Sequence, residues 1–411
     1  MPNEKASNAF SGEQILTLVV SAIFLFVAVG ALFLMIVALK DVAAEFAWPR
    51  EIPSLAITLQ FVGSGIGGIL LGYLLDRYGM SLPAFVCLAA AGLGAILISH
   101  IDAKWQLYTI YLFMFGLSGP TSAVTPAMMN VAKWFDKGRA MAIGIVASGQ
   151  GLAGILWPLI FGWVIEDLGW RKMFFWYGVF ALITTVPIWF VLRRKPSANL
   201  MKSMGQSTGP TDTPRRLSAN TIQAGLCCAI LGCCVAMGLP LGHLIAYVTD
   251  LGYSVGHAAM TLSVTQISGF LSSAILVGVF AGRFGGLPAL FIFSGTQALM
   301  LAALTATHQL WLLYVISALL GIGYGGIFPA YAVIIREHLP ASQAGMRAGI
   351  VFLFGAVAMG IGGWLGGFLF DLTGSYTTPF LIGVGFNLAN LIVVVALTVK
   401  LRPPMPTPAM R

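Results

Sequence analysis

The sequence predicts an all-α integral membrane protein whose twelve transmembrane helices form two pseudo-symmetric six-helix bundles. Three observations carry this. The 411 residues are 58% hydrophobic and only 9% charged, with a mean hydropathy of +0.90, whereas soluble domains are about 25% charged. Apolar runs long enough to cross a bilayer recur along the whole chain. Short patterns in one half reappear about 205 residues later in the other. Lipid offers no partner to an unpaired amide or carbonyl, so helices must carry the crossings. This composition excludes an ordinary water-soluble enzyme.

From the N-terminus, residues 1–14 are polar and read as a cytoplasmic segment. The run from Ile15 to Leu39 is too long for a signal-peptide core and is expected to be retained. Further runs follow near 54–75, 82–101, 106–132, 140–165 and 172–192, completing a first bundle over 15–192. Residues 193–221, rich in Ser, Thr, Pro and basic side chains, read as a cytoplasmic linker. The second bundle, 222–399, holds runs near 222–249, 257–281, 287–306, 309–335, 347–370 and 377–399, and 400–411 form a cytoplasmic tail. With both termini inside, 17 of the 22 Lys and Arg residues fall in inner loops, and 5 (Lys40, Arg50, Lys104, Arg171 and Lys172) lie outside. That asymmetry sets orientation. It also accounts for the net charge of +8 without a nucleic-acid partner. The five cysteines lie in apolar runs without metal-binding spacing, so packing is their expected role.

The repeats are specific. Gly72-Tyr-Leu-Leu-Asp76-Arg77-Tyr-Gly79 after the second span corresponds to Gly278-Val-Phe-Ala-Gly282-Arg283-Phe-Gly285 after the eighth, at an offset of 206. Pro126-Ala127 before Lys133 matches Pro329-Ala330 before Arg336, at 203. Gly162, Glu166 and Gly169 match Gly367, Asp371 and Gly374, at 205. Parallel repeats joined by a linker are a transporter architecture with its site near the midplane.

The segment Gly72–Gly79 resembles the G-x-x-x-D-R-x-G loop motif of the major facilitator superfamily. Lys133-Trp-Phe-Asp-Lys-Gly-Arg139, Gly169-Trp170-Arg171 and His243-Leu-Ile-Ala-Tyr247-Val-Thr-Asp250 resemble the monocarboxylate transporter and oxalate/formate exchanger group within it. The resemblance implies a cell-membrane carrier (the inner membrane in a Gram-negative cell) that works by alternating access. It also implies a latch at Gly72, Asp76, Arg77 and Gly79, with Arg283 in the second copy. Two departures stand out. Ala274, in Ser272-Ser273-Ala274, stands where that group places a carboxylate-binding arginine, and the eleventh span has no central lysine.

Charged residues inside a bilayer are costly and are functional candidates by default. Here every Asp, Glu, Lys and Arg is placed at a span end or in a loop. His243 alone is a titratable ring well inside a predicted span, and it reads either as an anion or proton partner or as a histidine hydrogen-bonded to a neighbouring helix. Gln150, Thr265, Gln266, Tyr324 and Tyr247 are the candidates to orient substrate, with helix bridging as the alternative. Gln60 is read as too near the outer end. Asn130 and Tyr331 are placed towards an inner vestibule, and Asn387 and Asn390 are assigned to packing. Asp41 and Asp250, at repeat-related outer ends, are candidates to relay protons or simply solvated helix ends.

No nucleotide-binding G-x-x-x-x-G-K-[ST] pattern is present, and neither a catalytic triad nor a metal cluster is legible. No cofactor is implied. The expected partners are a small-molecule substrate, protons and the lipid bilayer, with the chain functional as a monomer. The reading reached is a proton-coupled or exchanging carrier of a small organic anion, a monocarboxylate. A carrier of a neutral or zwitterionic metabolite or vitamin, an exporter of hydrophobic compounds, and a non-transporting scaffold or sensor are its rivals.

Overall fold

The computed structural model describes residues 11–119, 121–132, 134–135, 139–194, 217–340 and 343–401. Lys133, Lys137, most of the linker, and both chain ends lie outside the described residues. Among the described residues every regular element is helical, and eleven helices are long and apolar enough to cross a membrane.

Span one is Gly12–Glu45, span two Glu51–Tyr78 and span three Ser81–Ile98. Spans five and six are Arg139–Leu168 and Trp170–Leu192. Span seven is Ala219–Asp250, and spans nine to twelve are Gly286–Leu304, Leu310–His338, Ala344–Thr373 and Thr377–Leu401. Span four is expected as one run but is built in pieces: an α-helix Lys104–Ile110, a π-helical turn Tyr111–Leu117, a 3-10 turn Thr121–Ala123 and an α-helix Val124–Ala132. Span eight is similarly divided into Val255–Leu271, a π-turn Ser272–Leu276 and Val277–Phe284. The second π-turn holds Ala274. Span one is longer than its apolar run. It carries Lys40 and Asp41 inside its last turns rather than in the following loop.

The described chain groups into two compact units. The first takes residues 1–34, 63–157 and 168–207, and the second takes 35–62, 158–167 and 208–411. In the first unit spans three and six approach through reciprocal glycines. A methyl on Gly178 would lie 2.6 Å from the Gly92 carbonyl, and one on Gly92 would lie 2.9 Å from the Gly178 carbonyl. Such contacts bring backbones together where lipid supplies no hydrophobic drive. Trp157 Nε1–H donates to the Phe26 carbonyl (2.8 Å) and Tyr177 O–H to that of Val27 (2.6 Å), tying spans five and six to span one.

In the second unit span seven is buried along most of its length. Gly238 meets the Met359 carbonyl of span eleven, and Gly362 returns the contact on the Val235 carbonyl. The last glycines of the repeated motifs all adopt positive φ. Gly79 and Gly285 have φ of +80° and +87°, and Gly169 and Gly374 have +78° and +67°. A residue with a Cβ is strained in that region, so glycine is required at each of these turns.

Candidate functional site

A narrow cavity of about 10 Å3, room for roughly one water, lies inside the second unit, walled by Met237, Pro240, Leu241 and Leu244 of span seven, Leu262, Thr265 and Gln266 of span eight, Gln297 of span nine, and Leu320 and Tyr324 of span ten. The spacings of three and four residues put each set on one helical face. Tyr324 O–H donates to Gln266 Oε1 at 2.5 Å, leaving the Gln266 amide N–H groups with no partner among the described residues. Thr265 returns its hydroxyl to the Thr261 carbonyl of its own helix (3.0 Å). Gln297 is fully buried, donates to the Cys233 carbonyl (3.4 Å) and accepts from Asn387 Nδ2 (3.0 Å). Asn387 also donates to the Ser294 carbonyl, and Asn390 donates to Asn387. The walls are mainly apolar, their polar groups are neutral, and no charged side chain lines them. An apolar lining with neutral hydrogen-bonding groups, closed to about the size of one water, has to open before it admits a solute.

A second cavity, of about 150 Å3, is lined by Ile36, Val37, Leu39, Lys40 and Asp41 of span one, Ile245, Ala246 and Thr249 of span seven, and Val255. Beside it runs a chain of polar contacts. Lys40 Nζ lies 2.7 Å from Asp250 Oδ1 and donates to Thr249 Oγ1 (3.0 Å). Arg50 takes the same carboxylate in bidentate fashion, Nη1 to Oδ2 at 2.5 Å and Nη2 to Oδ1 at 2.9 Å. The Arg50 guanidinium lies 3.8 Å over the Phe370 ring and donates from Nη1 to the Tyr376 hydroxyl oxygen (3.0 Å). Burial acts to lower the Arg50 pKa, but its hydrogen bonds to Asp250 and Tyr376 outweigh it and hold the pKa above its ordinary value. Burial pushes the Tyr376 phenol up, so it stays a donor.

Tyr376 leads to His243, whose Nδ1 is 3.1 Å from its hydroxyl and whose Nε2 is 2.7 Å from the Gly363 carbonyl. A carbonyl can only accept, so the proton sits on Nε2, and Nδ1 accepts from Tyr376. His243 is completely buried and packs on Gly366, where any methyl would overlap its ring.

The structure therefore brings Thr265, Gln266 and Tyr324 together at the first cavity, joins His243 to Asp250 through Tyr376 and Arg50, and sets Asp41 at the second cavity. Tyr247 turns away from both cavities, donating to the Leu304 (2.6 Å) and Thr307 (3.3 Å) carbonyls. Gln150 is exposed in the first unit. Gln60 and Asn130 are buried, and the Tyr331 hydroxyl lies 3.8 Å from Cys233 Sγ. In the latch segment Gly72 is half-buried, Asp76 and Arg77 are exposed, and Arg77 Nη1 donates to Tyr73 OH (2.8 Å). Arg283 lies 5.5 Å from the Phe284 ring.

Arg50, Tyr376, Lys40 and Gln297 escaped the sequence reading as site residues. For Arg50 a signal existed: a cation at the start of a helix opposes the helix dipole and needs another reason to be there. For Gln297 it was a lone amide in an otherwise apolar span.

A sequence model described as Major Facilitator Superfamily matches residues 19–307 and 226–411. Among curated proteins the chain is 26% identical over 369 residues to monocarboxylate transporter 13 of Rattus norvegicus, covering 88% of this chain and 82% of that protein. It is 24% identical over 298 residues to agnestins efflux protein AgnL12 of Paecilomyces divaricatus, covering 70% and 64% respectively. Among solved structures it resembles nucleoside transporter NupG with a TM-score of 0.73 at 13% identity, over 94% of this chain and 99% of that one. A bacterial homologue of the human lysosomal transporter Spinster matches with a TM-score of 0.71 at 13% identity, over 95% and 96%.

Proposed function

The chain belongs to the major facilitator superfamily of membrane transporters, and from that premise we propose that it carries small monocarboxylates by alternating access, with proton coupling or exchange. The observation that carries this reading is the mainly apolar cavity with the Gln266–Tyr324 pair on its wall. The space is closed to about one water in this arrangement, and opening it would seat the apolar body of an organic acid on these walls with Gln266 and Tyr324 orienting its polar end. The likeness to a monocarboxylate transporter along most of both chains supports the substrate class. The split of basic residues supports termini on the cytoplasmic side of a cell membrane. In this reading Gln266, Tyr324 and Thr265 orient the substrate. His243 and Asp250, linked through Tyr376 and Arg50, serve the proton side of the cycle with Asp41. The segment from Gly72 to Gly79, with Arg283, is the inner latch.

A carrier of an uncharged metabolite is the second reading, favoured by the neutral polar groups of the same cavity. Uptake of labelled short-chain and aromatic carboxylates into proteoliposomes, with and without an inward proton gradient, separates the two. Uptake stimulated by the gradient and weakened by Tyr324→Phe supports the carboxylate reading. Folded protein that carries benzamide but no carboxylate supports the other.

A further inference from the structure

The first cavity has no cationic side chain among its walls. Two cations do converge on a carboxylate elsewhere in the same unit. Arg50 grips Asp250 through both guanidinium arms, and Lys40 approaches Oδ1 at 2.7 Å. Bidentate Arg–carboxylate geometry is among the strongest forms of organic-acid recognition. Here it is set in advance, because the guanidinium rests on the Phe370 ring and is oriented by the Tyr376 hydroxyl. The cluster is also within reach. The Lys40, Asp250 and Arg50 side chains are 34%, 26% and 16% exposed, and Lys40, Asp41 and Thr249 are the polar walls of the second cavity, whose other walls are apolar and beside which Arg50 and Asp250 stand.

The remaining acids nearby are engaged differently or stand apart. Asp371 binds the backbone N–H groups of Arg50 (3.0 Å) and Glu51 (2.7 Å), and Glu51 accepts from Trp364 Nε1 (3.3 Å). Asp41 faces the second cavity. Asp250 is thus the only carboxylate ion-paired to Lys40 or Arg50 among the described residues.

We infer that Lys40 and Arg50 form a docking site for the carboxylate of the transported acid, and that Asp250 occupies this site as the chain's own stand-in when no acid is bound. The inference rests on the monocarboxylate reading and deepens it. The ligand class is a monocarboxylate that docks here before it reaches the first cavity, its apolar part lying meanwhile against Ile36, Val37, Ile245 and Val255. An incoming carboxylate displaces Asp250 from Arg50, which releases the start of span two from the end of span seven. Docking and opening are therefore one exchange of carboxylates, and the ligand shifts the equilibrium by its preference for the released arrangement.

The test is isothermal titration of purified full-length protein with benzoate and with benzamide. Asp250→Asn removes the competing charge without changing shape. It is expected to bind benzoate about tenfold more tightly than the wild type, the equivalent of one modest ion pair, with benzamide unchanged. Adding Arg50→Gln to Asp250→Asn is expected to abolish the gain. Should Asp250→Asn fail to fold, Lys40→Gln alone serves: it is expected to raise the KM for benzoate uptake about fivefold, an ion-pair-sized effect, while benzamide binding stays the same. An absent gain in Asp250→Asn, a gain that survives Arg50→Gln, or an unaltered benzoate KM in Lys40→Gln overturns the docking site. If the wild type carries carboxylates throughout, only the docking site falls. If it carries none, the substrate reading falls as well.

Discussion

Asp371 stands 205 residues after Glu166, and the two carboxylates do the same work at the starts of two different helices. Glu166, near the end of span five, accepts the Gly256 N–H at the start of span eight at 3.0 Å. Asp371, near the end of span eleven, accepts the N–H groups of Arg50 and Glu51 at the start of span two at 3.0 and 2.7 Å. One turn earlier on each span a glycine makes the approach possible. Gly162 comes up to Ala259, where a methyl would lie 2.8 Å away, and Gly367 comes up to the Arg50 carbonyl, also at 2.8 Å. A carboxylate at a helix N-terminus satisfies orphan donors and complements the dipole. Two helix starts are thus held closed by the same device, used once in each repeat.

Removing one cap should loosen one helix start and spare the other. Glu166→Ala is expected to cost about 1 kcal/mol locally, which speeds amide exchange around Gly256 about fivefold. Exchange at Arg50 and Glu51 is expected to stay as in the wild type. Asp371→Ala is expected to give the converse pattern in hydrogen–deuterium exchange, and equal acceleration at both sites would contradict independent caps.

Gly366 marks the tightest point around His243. Gly366→Ala drives a methyl into the imidazole and is expected to destabilise by about 1–3 kcal/mol, read as a lower Tm in detergent. Gly295 has open space around its would-be Cβ. Gly295→Ala is expected to leave Tm unchanged or to raise it, by up to about 1 kcal/mol of helix propensity.

The Gly363 carbonyl fixes the His243 tautomer, and Tyr376 donates to the ring nitrogen left bare. In 15N-histidine NMR the wild type is expected to show an unprotonated Nδ1 and a protonated Nε2, following from the Gly363 contact. Tyr376→Phe withdraws the donor to Nδ1 and is expected to cost about 1–3 kcal/mol of stability, the penalty for a buried acceptor left unpaired. A wild-type signal from Nδ1–H would refute this arrangement.

Tyr324→Phe keeps the ring and removes the hydroxyl that donates to Gln266. Loss of one oriented hydrogen bond is worth about 1 kcal/mol, so KM for the transported acid is expected to rise about fivefold with Tm nearly unchanged. A lowered Tm with an unaltered KM would assign the pair to helix bridging instead.

Much of the architecture was legible because hydropathy and the repeat report on it directly. The glycines closing the repeated motifs all have positive φ, although ψ is 165° at Gly169 and 11° at its counterpart Gly374. The break in span four was hidden, because Gly116 and Gly119 scarcely alter an apolar average while permitting a π-turn. Thr265, Gln266 and Tyr324 could be chosen as polar residues in apolar helices, and they share one cavity. Arg50 and Tyr376 could not be chosen that way. Each lies in a short connection, where the pattern reads a charge as topology and a tyrosine as an interface residue, and only the folded chain sets them between His243 and Asp250.

The central claim, that this transporter carries monocarboxylates by alternating access, is tested most directly by counterflow. Proteoliposomes loaded with an unlabelled monocarboxylate such as benzoate are diluted into a trace of the labelled acid, and its entry is followed over time. The account predicts a transient accumulation of label inside, absent from liposomes without protein and weakened in Tyr324→Phe. Folded protein that shows no accumulation with any monocarboxylate, yet does so with an uncharged solute, would contradict it.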